Sequence, residues 1–157
     1  MGLLISSVVT SQVMEQSIYI TGNTSDVSNI DVLSQIASEA KSSKNTMLLL
    51  LGNAAPEAKF KPSLDTQLQL IKAFKKDAIF IVGNQEWSQE GYNQVANIEK
   101  YIQKNSKAKF YPDNSAPLKT QEISDNIVLI TIDSQWFLED WNDHVYINEE
   151  SDIQNRT

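Results

Sequence analysis

Residues 47–53 read MLLLLGN, an unbroken apolar run that ends at a Gly-Asn pair. A continuous run of this kind is typical of a strand covered on both faces, as inner strands of parallel sheets are. The same ending recurs at Gly22-Asn23 and at Gly83-Asn84, each after another short β-prone run. Because parallel strands share one edge at their carboxyl ends, we expect the three turns to lie together. That edge is where α/β proteins usually bind ligands.

Helical and strand patterns alternate along the chain. Apolar residues at helical spacing predict three helices, over 29–42, 64–74 and 94–104. Apolar, β-prone runs predict four strands, over 17–21, 47–51, 78–82 and 108–111. A tight turn at 125–126 joins two paired strands over 120–124 and 127–133, and two prolines predict a loop over 52–63. The sequence therefore predicts an α/β fold with a largely parallel sheet flanked by helices.

Composition excludes several classes of function. The 157 residues suit one domain, and the net charge of −7 opposes binding to nucleic acid, which needs clustered lysine and arginine. The chain has no cysteine, so it has no disulfide and no thiolate metal site. His144 is its only histidine, whereas His-rich zinc and dinuclear sites need several imidazoles.

The two ends of the chain differ in character from its middle. We interpret 1–16 as a leader or the remnant of an export signal, 17–147 as the domain, and 148–157 as a polar tail. If the leader is such a remnant, the protein is exported, to the periplasm or cell envelope. No run approaches the ~20 apolar residues of a membrane span, so we expect membrane association only through a partner.

Four segments in a fixed order carry a resemblance to a known family. They read ITGN at 20–23, LGNA at 51–54, VGNQEW at 82–87 and ITIDSQWFL at 130–138, with Trp141 after the last. In this order they resemble the calcineurin-like metallophosphoesterase superfamily, and the fourth is similar to a segment of its bacterial branch. The resemblance implies the amino-terminal half of a metallophosphoesterase α/β sandwich, whose members hold two metals in loops after successive strands.

The chain departs from that family at the positions that do the chemistry. The resemblance implies that an aspartate at the position of Asn23 binds the first metal, and that one at Asn53 bridges the two metals. The family's asparagine, kept here as Asn84, binds the second metal. Gln85 replaces the histidine that helps to protonate the leaving group, and Glu139 stands where the bacterial branch favours a histidine.

These departures predict that the ancestral site is inactive. Two adjacent divalent cations need anionic ligands between them, and a neutral amide cannot bridge as a carboxylate does. We therefore expect no catalytic residue and no metal or other cofactor, with a dinuclear Mn, Fe or Zn centre only if the chain works with unusual ligands. The ancestral-site positions are Asn23, Asn53, Asn84, Gln85 and Glu86.

Two groups of side chains have alternative interpretations. Glu86 is expected to cap a helix or face solvent rather than act as an acid or base. The aromatic residues of the carboxyl-terminal region are expected to pack the late strands and loops. The alternative is a surface that binds a protein partner, formed by Trp136, Phe137 and Trp141.

The sequence thus predicts a catalytically inactive metallophosphoesterase-like protein that acts as a binding or assembly module, with another protein as partner, within a larger complex. One alternative is a metal-dependent phosphoesterase with unusual ligands or with ligands completed by a partner chain. A second alternative is a small α/β domain that binds a phosphate or nucleotide through its Gly-Asn turns.

Overall fold

A computed structural model describes residues 16–25, 27–40, 45–55, 60–74, 77–87 and 91–139 of the chain. Six strands lie in these ranges: β1 (Ser17–Gly22), β2 (Thr46–Leu51), β3 (Asp77–Ile81), β4 (Lys109–Tyr111), β5 (Leu118–Ser124) and β6 (Ile127–Ile132). Three helices lie between the first four strands: α1 (Val27–Glu39), α2 (Lys61–Phe74) and α3 (Tyr92–Asn105).

The first four strands form one parallel sheet in the order β1-β2-β3-β4. Each crossover contains one helix, and crossovers of this kind are right-handed. When strands are added in sequential order with the same handedness, all the helices come to lie on the same face. The predicted α/β fold with a parallel sheet flanked by helices is confirmed.

The helix-side core contains the inward side chains of the sheet and the apolar stripes of the helices. Leu50, Leu64, Phe80, Val95 and Ile98 are each at most 1% exposed there. Their burial follows from the continuous apolar runs of β2 and β3 and from the helical spacing of apolar residues in α2 and α3. This core therefore fixes the helices against the sheet and so positions the carboxyl ends of its strands.

An antiparallel hairpin of β5 and β6 packs on the opposite face of the sheet. Its inward residues Ile123 and Leu129 contact a second apolar cluster that includes Leu49, Ile79 and Tyr111. The hairpin therefore covers the face of the sheet opposite the helices. With the helices on the other face, β2 is buried on both sides, as its continuous apolar run predicts.

The observed boundaries correct some details of the sequence prediction. Helix α2 begins at Lys61, so the loop predicted over 52–63 is wrong for 61–63. Pro62 fits there because the first turn of a helix leaves its N–H groups without intrahelical acceptors, and proline lacks that N–H. Helix α1 runs over Val27–Glu39 rather than 29–42.

The predicted leader, except for residue 16, and the predicted tail lie outside the described ranges, as do Trp141 and His144. Among the helices that the structure describes, none has the length and apolarity required to cross a membrane.

Candidate functional site

The turns that follow β1, β2 and β3 lie side by side at the carboxyl edge of the sheet. The N–H of Asn23 donates to the carbonyl of Gly52 (3.2 Å), and the N–H of Ser25 donates to the carbonyl of Asn53 (3.2 Å). The backbones of Gly52 and Gly83 approach so closely that a Cβ on Gly83 would lie 2.7 Å from the Gly52 Cα. The three turns therefore meet, as the sequence predicts.

The Gly-Asn pairs suit this geometry because the chain turns through left-handed backbone conformations. Asn23, Gly52 and Asn53 have φ values of 52°, 53° and 53°. Glycine and asparagine adopt this region at lower cost than other residues. At Gly83 the requirement is different: the absence of a side chain allows the turn after β2 to lie against it.

Glu86 joins two of these turns from inside the protein. Its Oε2 accepts hydrogen bonds from the N–H groups of Asn53 (2.9 Å) and Gly83 (2.9 Å), and its Oε1 accepts one from Ala55 (2.9 Å). The residue is 1% exposed. The expectation that Glu86 caps a helix or faces solvent is therefore wrong, because converging backbone N–H groups offer the buried carboxylate three donors at once.

The other ancestral-site positions differ from Glu86, and from one another, in how far their side chains are buried. The side-chain oxygen of Asn53 is buried and has no hydrogen-bond partner among the described residues. Asn23 and Asn84 are exposed, and Gln85 is half-buried in the turn after β3. The structure thus brings the turns together but keeps two of the three asparagines on the surface.

The donors at these turns do not fit a dinuclear metal centre. Asn23 and Asn53 supply neutral amides where the cations would need an anionic bridge, and both oxygens of Glu86 already accept backbone hydrogen bonds. In the described part of the chain, no three His, Cys, Asp or Glu side chains cluster in a way that could hold a metal ion.

Gln67 on α2 connects the turns after β1 and β2 through hydrogen bonds of its side chain. The sequence did not single out this residue. Its Nε2 donates to the carbonyl of Ala54 (2.8 Å), and its Oε1 accepts from the hydroxyl of Thr24 (2.7 Å). It is fully buried. Its position between Leu64 and Ile71 on the apolar stripe of the helix is the sequence signal that could have revealed it, since a buried amide needs polar partners.

Asp133 connects the chain after β6 to the same edge. Its Oδ2 accepts from the indole N–H of Trp87 (3.0 Å), and its Oδ1 accepts from the N–H groups of Gln135 (3.0 Å) and Trp136 (3.2 Å). Asp133 is 3% exposed. Burial raises the pKa of this carboxyl above its ordinary value of 3.8, although its three hydrogen bonds act in the opposite direction.

We expect Asp133→Asn to lower the free energy of unfolding by about 1–3 kcal/mol, because its NH₂ group would face an N–H donor of Trp87 or the backbone. Because the pKa of Asp133 is higher in the folded than in the unfolded chain, its carboxyl contributes to the free energy of unfolding at low pH. That contribution is lost as the pH rises from the unfolded pKa through the folded pKa, whereas asparagine does not titrate. The stability difference between native and variant should therefore be larger near pH 3 than near pH 7, values on either side of the ordinary aspartate pKa of about 3.9.

Urea unfolding of both proteins at the two pH values measures that difference. The exposed Asp31→Asn change on α1, away from β5 and β6, serves as the control, with an effect expected within about 0.5 kcal/mol. An equal gap at both pH values would contradict the raised pKa.

The aromatic residues divide between the core and the surface. Trp87 and Trp136 are 5% and 4% exposed, as expected for residues that pack the late strands and loops. Of the three residues of the alternative partner-binding surface, Trp136 lies with its ring in the helix-side core. Phe137 is 57% exposed and the adjacent Leu138 is 76% exposed, so these two residues do face outward.

A larger apolar surface lies on the outward side of the hairpin. The exposed side chains of β5 and β6 alternate with the inward ones and form what we call the hairpin face, which consists of Leu118, Thr120, Glu122, Val128, Ile130 and Ile132. Its four apolar members are 49–59% exposed. A hairpin that covers a sheet normally alternates apolar and polar sides, so an apolar outer side is unusual.

One groove of about 450 Å³ lies elsewhere, along α3 and the short turn Asp113–Ser115. Glu99 and Asn114 line it, and the Glu99 carboxylate accepts the N–H of Asn114 at 3.0 and 3.1 Å. Burial raises the pKa of Glu99. Because the Glu99 carboxylate already accepts a backbone N–H, it is not free to bind a ligand in the groove.

The fold and site define an α/β protein with helices on one face of a parallel sheet and a hairpin on the other. No protein-family model, curated protein or solved structure matches the chain. One α/β architecture can host many activities, so the function of this chain depends on the chemistry of its site residues.

Proposed function

We propose that the chain is a catalytically inactive metallophosphoesterase-like protein that works as a binding or assembly module within a larger protein complex. The observation that carries this proposal is the hairpin face, where four apolar side chains are about half exposed. Contiguous apolar surface of this kind marks interaction sites on soluble proteins. The exposed Phe137 and Leu138 add further apolar area shortly after β6.

The absence of catalysis is argued from the donors at the three turns. Asn23 and Asn53 are neutral, and Glu86 uses both oxygens on backbone N–H groups. A carboxylate in this state could serve a metal only if those N–H groups gave up their acceptor. A working phosphoesterase would therefore need a partner chain to bring the anionic ligands.

The same contacts weigh against a domain that binds phosphate at these turns. Backbone N–H groups at a sheet edge can cradle an anion. Here the N–H groups of Asn53, Ala55 and Gly83 already have one, because the Glu86 carboxylate accepts from all three. An external phosphate would have to displace a buried side chain.

Metal content and phosphodiester cleavage test the proposal. The native chain is incubated with Mn²⁺ and Zn²⁺, alongside a variant carrying Asn23→Asp, Asn53→Asp and Gln85→His. We expect a native protein without stoichiometric metal or turnover, and a variant that gains metal, because it restores two anionic ligands and an imidazole.

The matched control adds the same residue types at three separate exposed positions, as Asn97→Asp, Asn126→Asp and Gln69→His. It should bind no more metal than the native chain does. Near-stoichiometric metal together with phosphodiester cleavage by the native protein would overturn the proposal.

A further inference from the structure

The hairpin face has a pattern that indicates what covers it. Every outward residue of β6 is apolar: Val128, Ile130 and Ile132. The outward residues of β5 are mixed, because Thr120 and Glu122 follow Leu118. A partner that buries apolar surface efficiently would therefore place its own apolar strand against β6.

We propose that two copies of this chain pack hairpin face to hairpin face, β6 against β6, around a two-fold axis that crosses the strands at Ile130. This inference rests on the proposed function, since it names the partner of the same binding surface. A two-fold contact uses one self-complementary patch on both copies, and β6 is such a patch.

The strand register determines which residues meet. Within the hairpin Leu118 pairs with Ile132, Thr120 with Ile130, and Glu122 with Val128, so the Thr120–Ile130 pair is the centre of the face. A two-fold axis across the strands at that centre places Ile130 against its counterpart in the other copy. It also places Val128 against the other copy's Ile132, so that all contacts of β6 are apolar.

Charge favours this axis over one that runs along the strands. The crossing axis sends the two Glu122 carboxylates to opposite ends of the contact, about 13 Å apart for a four-residue offset along a strand. An axis along the strands would bring both carboxylates to the same end and would set Thr120 against Ile130. Glu122 lies opposite an aliphatic residue under either axis, Leu118 for the crossing axis and Val128 for the axis along the strands, so that pairing does not distinguish them. The like charges at one end and the Thr120 hydroxyl against Ile130 weaken only the axis along the strands.

The available area fits a weak dimer. Leu118, Val128, Ile130 and Ile132 are 49%, 55%, 59% and 55% exposed. Aliphatic side chains exposed to this degree offer on the order of 100 Å² each. With Thr120 and Glu122, two copies would bury about 1,000 Å² in total, below the roughly 1,200 Å² at which stable interfaces begin and in the size range of weak, transient ones. We therefore expect a dissociation constant in the micromolar range.

The net charge of −7 on each copy predicts how salt acts on this dimer. Two acidic copies repel each other, and added salt screens that repulsion while leaving apolar burial intact. Association should therefore strengthen as the salt concentration rises. A partner held by opposite charge would show the reverse dependence.

Sedimentation velocity of the full chain, from low micromolar to submillimolar concentration, tests the dimer with a matched pair of variants. Ile130→Glu places a carboxylate on the axis, whereas Ile20→Glu places one on β1, and the two isoleucines are equally exposed at 59%. We expect a concentration-dependent dimer for the native chain and for Ile20→Glu, and a monomer for Ile130→Glu. Thermal unfolding of each variant checks that it is folded.

Site-specific crosslinking tests the axis itself. The chain has no cysteine, so a single cysteine reports on one position only. With a short thiol-to-thiol crosslinker, Thr120→Cys at the centre should form covalent dimers, and Glu122→Cys at the end should form far fewer. Equal yields for the two variants would contradict the crossing axis.

The outcomes separate this inference from the function on which it rests. A native chain that stays monomeric throughout, or equal loss of dimer in Ile130→Glu and Ile20→Glu, would overturn the second copy as partner. Such a result would leave the inactive-module proposal standing, because that proposal fails only if the native chain binds metal and cleaves a phosphodiester.

Discussion

Replacing Glu86 with alanine should lower the free energy of unfolding by about 3 kcal/mol, because three N–H groups, one buried and two partly buried, lose their acceptor at about 1–3 kcal/mol each. The donors belong to Asn53, Ala55 and Gly83, so the change affects the turns after both β2 and β3. Glu86→Gln keeps only one acceptor oxygen and directs an NH₂ group at the remaining donors. It should therefore be destabilised, but less than Glu86→Ala.

Urea unfolding followed by circular dichroism measures these changes, with Gln69→Ala on the exposed side of α2 as the control. The control should change stability by no more than about 0.5 kcal/mol. Added acetate should stabilise Glu86→Ala in proportion to its binding, because a small carboxylate can replace the missing acceptor, and should leave the native chain unchanged. A Glu86→Ala protein as stable as the native one would contradict the assigned role.

Replacing Gly83 with alanine should cost about 2–3 kcal/mol through overpacking. The new Cβ would lie 2.7 Å from the Cα of Gly52, 3.1 Å from the backbone nitrogen of Asn53 and 3.1 Å from Oε2 of Glu86. Two of these neighbours are backbone atoms at the meeting point of the turns, so they cannot move aside as the end of a flexible side chain can.

The neighbouring Asn84→Ala is the matched control, because its side chain is exposed and the backbone bond from Trp87 to its carbonyl is kept. Thermal and urea unfolding should show little change for that variant. A Gly83→Ala protein within about 0.5 kcal/mol of the native chain, the usual range of a neutral surface change, would show that the turns are less tightly packed than described. Because Gly83 and Glu86 touch, we expect the two losses to be non-additive in a double variant.

Much of the fold could be predicted because its signals are local. The apolar run of β2 predicts a buried strand, and the stripe that includes Leu64, Leu68 and Ile71 predicts α2. The turn at 125–126 predicts the β5–β6 hairpin, which the structure confirms. Local periodicity did not predict that α2 would begin at Lys61, since a proline near a helix end is compatible with a loop or with a first turn.

The candidate site was predicted only in part, since the side chains that hold it together have distant partners. The meeting of the Gly-Asn turns follows from the parallel order of the strands. The burial of Glu86 does not, because its donors at Asn53 and Ala55 are more than thirty positions away in the chain. Gln67 and Asp133 were missed for the same reason: their partners come from other segments.

By itself, the sequence determined the alternation of strands and helices, the parallel sheet and the glycine and asparagine turns at its edge. Each of these follows from periodicity or from the backbone preference of a single residue. Tertiary structure alone decided that Glu86 would be enclosed by backbone N–H groups, that Trp136 would be buried beside an exposed Phe137, and that the hairpin would present an apolar outer face. Those outcomes depend on which segments pack together, and a one-dimensional pattern does not encode that packing.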